Sequence, residues 1–124
     1  AFPPTLIDWD GSIRFACGRD AWDKPAKLYV GFSLGERGEE GFGRDRRHAT
    51  PLRLKRGYLP LGETTYRYDG VGYRLEYVAC DSTNAILNSV LVRVTLTCKT
   101  GPARNVRFWI EVVQDASIRS AASL

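Results

Sequence analysis

The feature that most constrains the fold is a strict alternation of side chains over the last third of the chain. Apolar residues occupy every second position from 90 to 98, and the same pattern resumes from 106 to 113. A period of two places alternate side chains on opposite faces of a β-strand, so each segment predicts a strand with one buried face. The break between them contains a Gly-Pro pair, which favours a chain reversal. We therefore predict one long β-hairpin over residues 88–113.

Two Asp-Gly pairs predict further hairpins. Asp10-Gly11 separates two short apolar runs, and Asp69-Gly70 separates the alternating segments 64–69 and 71–80. Asp and Gly tolerate the positive φ angles that a tight hairpin turn requires. No segment repeats its apolar residues with a convincing helical period. The pattern therefore predicts an all-β fold, an antiparallel two-sheet β-sandwich.

The length of 124 residues is enough for one domain with its own core. We expect a single β-sandwich domain over residues 1–115, followed by a tail or linker at 116–124. Residues 35–50 hold four glycines and eight charged residues around Phe42, so we expect a mobile loop there. The chain contains no Met and begins Ala-Phe-Pro-Pro, which leads us to expect a piece of a longer protein.

Charge and hydropathy argue against two classes of partner. The net charge of +4 and the pI of about 9.2 only reach the range of nucleic-acid-binding domains, and the Lys and Arg residues are scattered along the sequence. No apolar run approaches the length of about 18 residues that a membrane-spanning helix needs. We therefore expect neither nucleic acid nor a membrane as a partner.

The residues of reactive type do not form a familiar catalytic or metal-binding pattern. His48 is the single histidine, and Cys17, Cys80 and Cys98 lack metal-ligand spacing. Cys98 falls on the predicted core face of its strand, and a Cys80–Cys98 disulfide is left open. The carboxylates of residues 36–45 lie in the predicted loop, which lacks the rigid spacing that glycoside hydrolysis requires. We predict no catalytic residue, no metal and no cofactor.

The tryptophans are the candidate binding residues, because a flat apolar ring with a polar edge can stack on a sugar. Trp22, with Arg19 and Asp23 beside it, looks most like a carbohydrate-binding site, and Trp9 is a second platform. The alternative is that each tryptophan packs under a loop or against another domain.

A candidate interface lies on the outer face of the predicted hairpin. There Trp109 lies beside Val113 and across from Leu91, and an exposed apolar patch of this kind commonly marks an interface. We predict that these three residues meet a neighbouring domain or a second copy of the chain.

Three segments carry a resemblance to a known family. They are Gly57-Tyr58-Leu59-Pro60-Leu61, the Asp-Gly hairpin at Thr64–Tyr73, and the strand Leu91–Thr97 with its Val-Arg-Val centre. Over residues 57–113 the chain resembles the N-terminal β-sandwich of bacterial glycoside hydrolase-like proteins of the six-hairpin class. The resemblance implies a supersandwich-like domain that packs on an (α/α) barrel, and the catalytic carboxylates belong to that barrel. The usual supersandwich is much longer, so this chain resembles a reduced version.

Three functional hypotheses follow. The first is a non-catalytic accessory domain of a larger carbohydrate-active protein, which packs on a neighbouring domain of the same polypeptide. The second is an autonomous carbohydrate-binding module that binds an oligo- or polysaccharide. The third is a homomeric structural or interaction domain, such as a homodimer.

Overall fold

The computed structural model describes residues 5–15, 28–57, 61–81, 88–99, 101–114 and 118–123. Ten β-strands follow one another along these residues: β1 Thr5–Ile7, β2 Ile13–Phe15, β3 Leu28–Leu34, β4 Glu40–Gly41, β5 Ala49–Leu54, β6 Leu61–Tyr68, β7 Val71–Asp81, β8 Asn88–Cys98, β9 Phe108–Gln114 and β10 Ile118–Ser123. Two short 3-10 helices, Arg46–His48 and Lys55–Gly57, precede and follow β5.

All strand pairs are antiparallel, and they form two sheets. One sheet has six strands in the order β1-β2-β3-β9-β10, with β4 also paired to β3, and the other has four strands in the order β5-β6-β7-β8. The chain divides into two compact units, Ala1–Arg44 with Ala103–Leu124 and Asp45–Pro102. The first unit contains the six-stranded sheet and the second unit contains the four-stranded sheet. The predicted all-β class with two antiparallel sheets is confirmed, consistent with a two-sheet sandwich.

Both Asp-Gly pairs form hairpin turns, as predicted. Asp69 and Gly70 have φ angles of 48° and 73°, and Tyr68 pairs with Val71 on either side of them. Two successive positive φ angles match the right-handed twist of the flanking strands, as in a type I′ turn. The first hairpin has a loop of more than two residues. Its last strand pair is Ile7 with Ile13, and within the loop the Asp8 N–H donates to the Ser12 carbonyl at 2.9 Å.

Each unit buries one side of its sheet. In the second unit the buried side chains of one face alternate along β6 and β7, as the sequence predicts; they are Thr64, Tyr66, Val71, Tyr73, Leu75 and Tyr77. On the opposite face Glu76 is buried as well, bonded to Lys55 and Arg93. In the first unit Phe32 and Phe108 pack with their ring centroids 5.4 Å apart, and Leu34 and Phe42 are also buried. The opposite side of β6 and β7 carries mainly polar side chains, and we call it the polar face.

The predicted hairpin over residues 88–113 does not form. β8 pairs with β7 along its whole length, from Val71↔Cys98 to Asp81↔Asn88, whereas β9 pairs with β3 and β10. The two alternating segments are strands, but they belong to different sheets. β8 pairs with β7, which matches its length of 11 residues, and the segment 99–107 between β8 and β9 is too long for a tight turn.

Two segments expected to lack regular structure contain strands. Within residues 35–50, β4 pairs with β3, and Phe42 is buried while its N–H donates to the Phe32 carbonyl at 3.0 Å. The mobility of this segment stays a prediction. The expected tail at 116–124 contains β10, which pairs with β9 from Ile118↔Gln114 to Ser123↔Trp109. A neighbouring strand edge supplies backbone partners that do not depend on side-chain composition.

The expectation that Cys98 lies on a core face was wrong, and the disulfide that the sequence left open does not form. Cys98 is exposed, and it is not part of a disulfide. It pairs with Val71, whereas Cys80 lies nine positions further along β7. At about 3.3 Å per residue this separates the two cysteines by roughly 30 Å, far beyond disulfide reach.

Replacing Gly70 by Ala tests the turn, with Gly72→Ala as its control. We expect Gly70→Ala to lower the free energy of unfolding by about 1–2 kcal/mol, because a Cβ disfavours the positive φ. Gly72 is a strand residue whose added Cβ would meet only the Thr97 carbonyl, at 3.7 Å, so Gly72→Ala should raise the free energy of unfolding by about 0.5–1 kcal/mol. Urea denaturation measures both. Equal effects of the two substitutions would contradict the turn assignment.

Candidate functional site

The predicted sugar-binding residues lie largely outside the described part of the chain. Trp22, Arg19 and Asp23 are not among the described residues, so their joint role stays a prediction. Trp9 lies in the turn between β1 and β2, where its side chain is half-exposed and its N–H donates to the Asp8 carboxylate at 2.8 Å.

The predicted interface residues do not share one face of a hairpin. Leu91 lies on β8 opposite Val78, whereas Trp109 and Val113 lie on β9 in the other sheet. Trp109 is half-buried, and its indole Nε1–H donates to the Gly35 carbonyl at 2.8 Å. Trp109 thus packs on the turn between β3 and β4, which is the alternative that the sequence left open. Leu91 remains exposed, with 59% of its surface accessible.

Replacing Trp109 by Phe separates packing from an interface role. We expect Trp109→Phe to lower the free energy of unfolding by about 0.5–1.5 kcal/mol, because the partly buried hydrogen bond to Gly35 is lost while most ring contacts remain. Chemical denaturation gives this value. Sedimentation velocity should show the same association state for the variant and the parent, and a change in that state would restore the interface interpretation.

A groove on the polar face of the four-stranded sheet is the candidate site. Its volume is about 630 Å³. The lining combines four threonines, several cationic side chains and one glycine; the full set is Arg47, His48, Ala49, Thr50, Thr65, Tyr66, Arg67, Gly72, Tyr73, Arg74, Thr95, Thr97 and Lys99. We call it the threonine groove. All of its residues belong to the second unit, and no carboxylate is among them.

Strand register places the groove residues in two neighbouring rows. One row runs Arg67–Gly72–Thr97 across β6, β7 and β8, and the next runs Thr65–Arg74–Thr95. Thr50 on β5 extends the second row, opposite Thr65. Directly opposite residues lie about 5 Å apart, and diagonal neighbours such as Arg67 and Arg74 lie about 7–8 Å apart. Gly72 has no side chain, so a depression is left between Arg67 and Thr97.

Two of the threonines share a hydrogen-bonded pair of hydroxyls. The Oγ1 atoms of Thr50 and Thr65 are 2.8 Å apart, and the Thr65 N–H also donates to Thr50 Oγ1 at 2.9 Å. The pairing of β5 with β6 shifts register just after Thr50, so this side chain takes the place of a regular ladder contact. Two hydroxyls that share one hydrogen bond use one of their two protons. The other proton remains available to an acceptor in the groove.

A short 3-10 helix positions the next two lining residues. The Asp45 N–H donates to Tyr66 Oη at 3.1 Å, and the Asp45 carboxylate caps the helix by accepting from the Arg47 N–H at 3.1 Å. The Arg47 guanidinium also donates to both carboxylate oxygens of Asp45, at 3.0 and 2.8 Å. These bonds, with a smaller effect from His48, lower the pKa of Asp45 to about 2. Asp45 therefore stays ionised and offsets the charge of Arg47.

Three other cations of the groove lack such a partner within the described residues. Among the described residues, no carboxylate is ion-paired with Arg67, Arg74 or Lys99. A carboxylate does serve the neighbouring cations on the polar face. Glu76 accepts from Arg93 Nε at 2.6 Å and from Lys55 Nζ at 3.0 Å. Because one carboxylate serves two cations there, one positive charge remains in that cluster, whereas Arg67, Arg74 and Lys99 bring three to the groove.

The same Glu76 cluster explains why a second cavity is a weaker candidate. That cavity, of about 640 Å³, is lined by Arg53, Leu54, Lys55, Arg56, Gly57 and Glu63. Lys55 is already bonded to Glu76, and Glu63 brings a carboxylate into the lining. Its charge is therefore more nearly balanced than that of the threonine groove.

Replacing Glu76 by Gln tests the cluster through its pH dependence. Hydrogen bonds from Arg93 and Lys55 lower the pKa of the Glu76 carboxyl from 4.5 to about 2 in the folded chain. Its stabilising contribution is therefore present above pH 4.5 and is lost as the pH falls from 4.5 towards 2. Glu76→Gln should lower the free energy of unfolding by about 1–2 kcal/mol at pH 7, because the partners of Glu76 are partly exposed.

The measurement is urea denaturation of both proteins at pH 7 and pH 2.5. The difference between them should shrink at the lower pH. Asp69→Asn, a change of one exposed carboxylate in the same unit, serves as the control. An unchanged difference at the two pH values would contradict the assigned role of Glu76.

The threonine groove was not found from the sequence, although one signal was present. Residues 45–102 hold nine Lys and Arg residues against five Asp and Glu residues, whereas the rest of the chain holds nine of each. The entire net charge of +4 therefore falls in the second unit. Counting charge by segment would have pointed to this unit.

The described residues contain neither a metal-binding group nor a membrane-spanning helix. Within them, no group of three His, Cys, Asp or Glu side chains could hold a metal ion. The same part of the chain has no helix that is long and apolar enough to cross a membrane.

Comparison with known proteins adds no family. A scan against protein-family models finds no matching family, and searches of curated proteins and of solved structures find no match either. The resemblance to the six-hairpin class therefore stays a prediction, and the functional argument rests on the geometry of the groove.

Proposed function

We propose that this chain is a non-catalytic binding module of a larger carbohydrate-active protein, and that it contacts saccharide through the threonine groove. The observation that carries the proposal is the concentration of hydrogen-bonding side chains around the depression at Gly72. Carbohydrates present many hydroxyl and substituent oxygens, and hydroxyl and guanidinium groups are suitable donors to them.

The position of the groove on paired strands also supports this role. Thr65, Arg74 and Thr95 stand on three neighbouring strands whose register is continuous through the row. Side chains on a sheet are held more rigidly than side chains on loops, so their donors are arranged before a ligand arrives. Such preorganisation lowers the entropy lost on binding.

Binding at this groove differs from the tryptophan platform expected from the sequence. The tyrosines of the lining are Tyr66 and Tyr73, which are 2% and 3% exposed. They cannot offer a ring face to a sugar. Recognition at this site therefore depends on hydrogen bonds and charge, and the Trp22 site remains a separate prediction.

An accessory domain also packs on a neighbouring domain, which requires exposed apolar residues. Leu91 is the most exposed of the large apolar residues on the four-stranded sheet. It shares a row with Leu61 and Val78, so an apolar strip crosses the polar face two rows from Arg74. This strip supports packing against another part of the parent polypeptide.

Filling the depression at Gly72 tests the proposed function. Gly72→Val adds a branched side chain to the groove, and strands accept such residues well. We expect the variant to stay folded and to lose most of its affinity for whichever polysaccharide the unsubstituted chain, here called the parent, binds. Affinity electrophoresis in gels that contain dextran, xylan, dextran sulfate or polygalacturonate measures this.

The matched control is Leu91→Val, which changes an apolar residue on the same face but outside the groove lining. It should migrate like the parent in every gel. If the parent binds none of these polysaccharides, or if Gly72→Val binds as well as the parent, the proposed function is wrong.

A further inference from the structure

We infer that the ligand of the threonine groove is a polyanionic polysaccharide, one that carries sulfate or carboxylate groups along its length. This inference rests on the proposed function and adds the class of ligand. It starts from the three cations of the groove that have no carboxylate partner among the described residues, Arg67, Arg74 and Lys99.

A neutral saccharide should bind this groove with low affinity. On binding, it would remove water from Arg67 and Arg74 without supplying a counter-charge, and the desolvation of an unpaired cation is costly. A sulfate or carboxylate replaces the lost water with charge-assisted hydrogen bonds, which are about twice as strong as neutral ones. The groove should therefore discriminate between two polymers of the same backbone by their charge.

The arrangement of donors suits anionic groups that are spread along a chain. Arg67 and Arg74 are diagonal neighbours on β6 and β7. Lys99 comes directly after the last residue of β8, which is the strand on the other side of β7 from Arg67. Threonine hydroxyls lie beside these cations: Thr95 is opposite Arg74 on one side, and the pair at Thr65 and Thr50, with its remaining proton, lies on the other. A single small anion could reach only part of this set.

A single-stranded nucleic acid also carries repeated anions, but the groove lacks what such a ligand needs. Proteins that bind single strands stack the bases on exposed aromatic rings. The tyrosines of this lining are buried, and the one other aromatic ring of the lining is the small imidazole of His48, whose Nε2 lies 3.6 Å from the Asp45 carboxylate. The groove can contact a charged backbone but offers one small ring rather than a row of rings for successive bases, which favours a polysaccharide.

The test compares dextran sulfate with dextran, because the two share a backbone and differ in charge. We expect tight binding of dextran sulfate and little binding of dextran at 50 mM salt, measured by isothermal titration calorimetry. Three cationic contacts predict a fall in affinity of about 20- to 40-fold between 50 and 200 mM salt, if each contributes the slope found for phosphate contacts.

Variants of single arginines assign the effect to the groove. Arg67→Gln and Arg74→Gln should each weaken binding roughly tenfold and reduce the slope of log affinity against log salt by about 1. Arg74→Lys should retain the slope, because the charge remains. Arg56→Gln is the matched control: it removes the same charge from the same unit but lies outside the groove. Thermal unfolding confirms that each variant is folded.

The possible failures are distinguishable. If dextran binds as tightly as dextran sulfate and Gly72→Val abolishes both, the anionic class is wrong and the saccharide function stands. If Arg56→Gln weakens binding as much as Arg74→Gln, the attraction is a general charge effect and the inference is overturned. If poly(U) RNA displaces dextran sulfate at equal charge concentration, the ligand is a nucleic acid and both the inference and the expectation of no nucleic acid are wrong. If no saccharide binds, the proposed function itself fails.

Discussion

The register between β6 and β7 is the constraint on which the rest of the second unit depends. The turn at Asp69-Gly70 fixes it, since only the pairing of Tyr68 with Val71 closes a two-residue loop. A slip of one residue would turn every side chain of β7 to the other face. Tyr73 and Leu75 would then leave the core, and Arg74 and Glu76 would enter it. The same turn therefore determines both the buried layer and the positions of the groove cations.

Local signals predicted the parts of the fold that depend on neighbouring residues. The alternation along β6, β7 and β8 and both Asp-Gly turns are read within a dozen positions, and the structure contains them. The partner of β9 is not a local property. Its alternation is real, but the choice between β8 and β3 is made by packing between residues far apart in the sequence. For the same reason β10, with its small and polar residues, showed no strand signal of its own.

The site was harder to predict than the fold because it is assembled across strands. Thr65, Arg74 and Thr95 form one row, yet each lies about 10–20 positions from the next, and no motif of adjacent residues records the row. Sequence reasoning gave weight to the tryptophans, because large aromatic residues stand out one at a time. Trp109 illustrates the limit of this approach. Its place on a strand was read correctly, but its hydrogen bond to the Gly35 carbonyl depends on a segment that is distant in the sequence. The charge of the groove is set by the cations that lack a carboxylate partner. Which cations these are follows from pairings such as that of Glu76 with Arg93, which form only in the folded sheet.

The second unit is inserted within the sequence of the first, and this order affects the synthesis of the chain. The second unit is one uninterrupted stretch, whereas the first unit is completed only when β9 pairs with β3, some eighty residues later in the sequence. On the ribosome, β5 to β8 all emerge before β9, so the four-stranded sheet has all its strands while β3 still has a bare edge. An exposed strand edge is a template for pairing with other chains. A nascent chain that stalls before residue 108 therefore presents an aggregation-prone β3, and any shortened version of this protein has to keep both ends of the first unit.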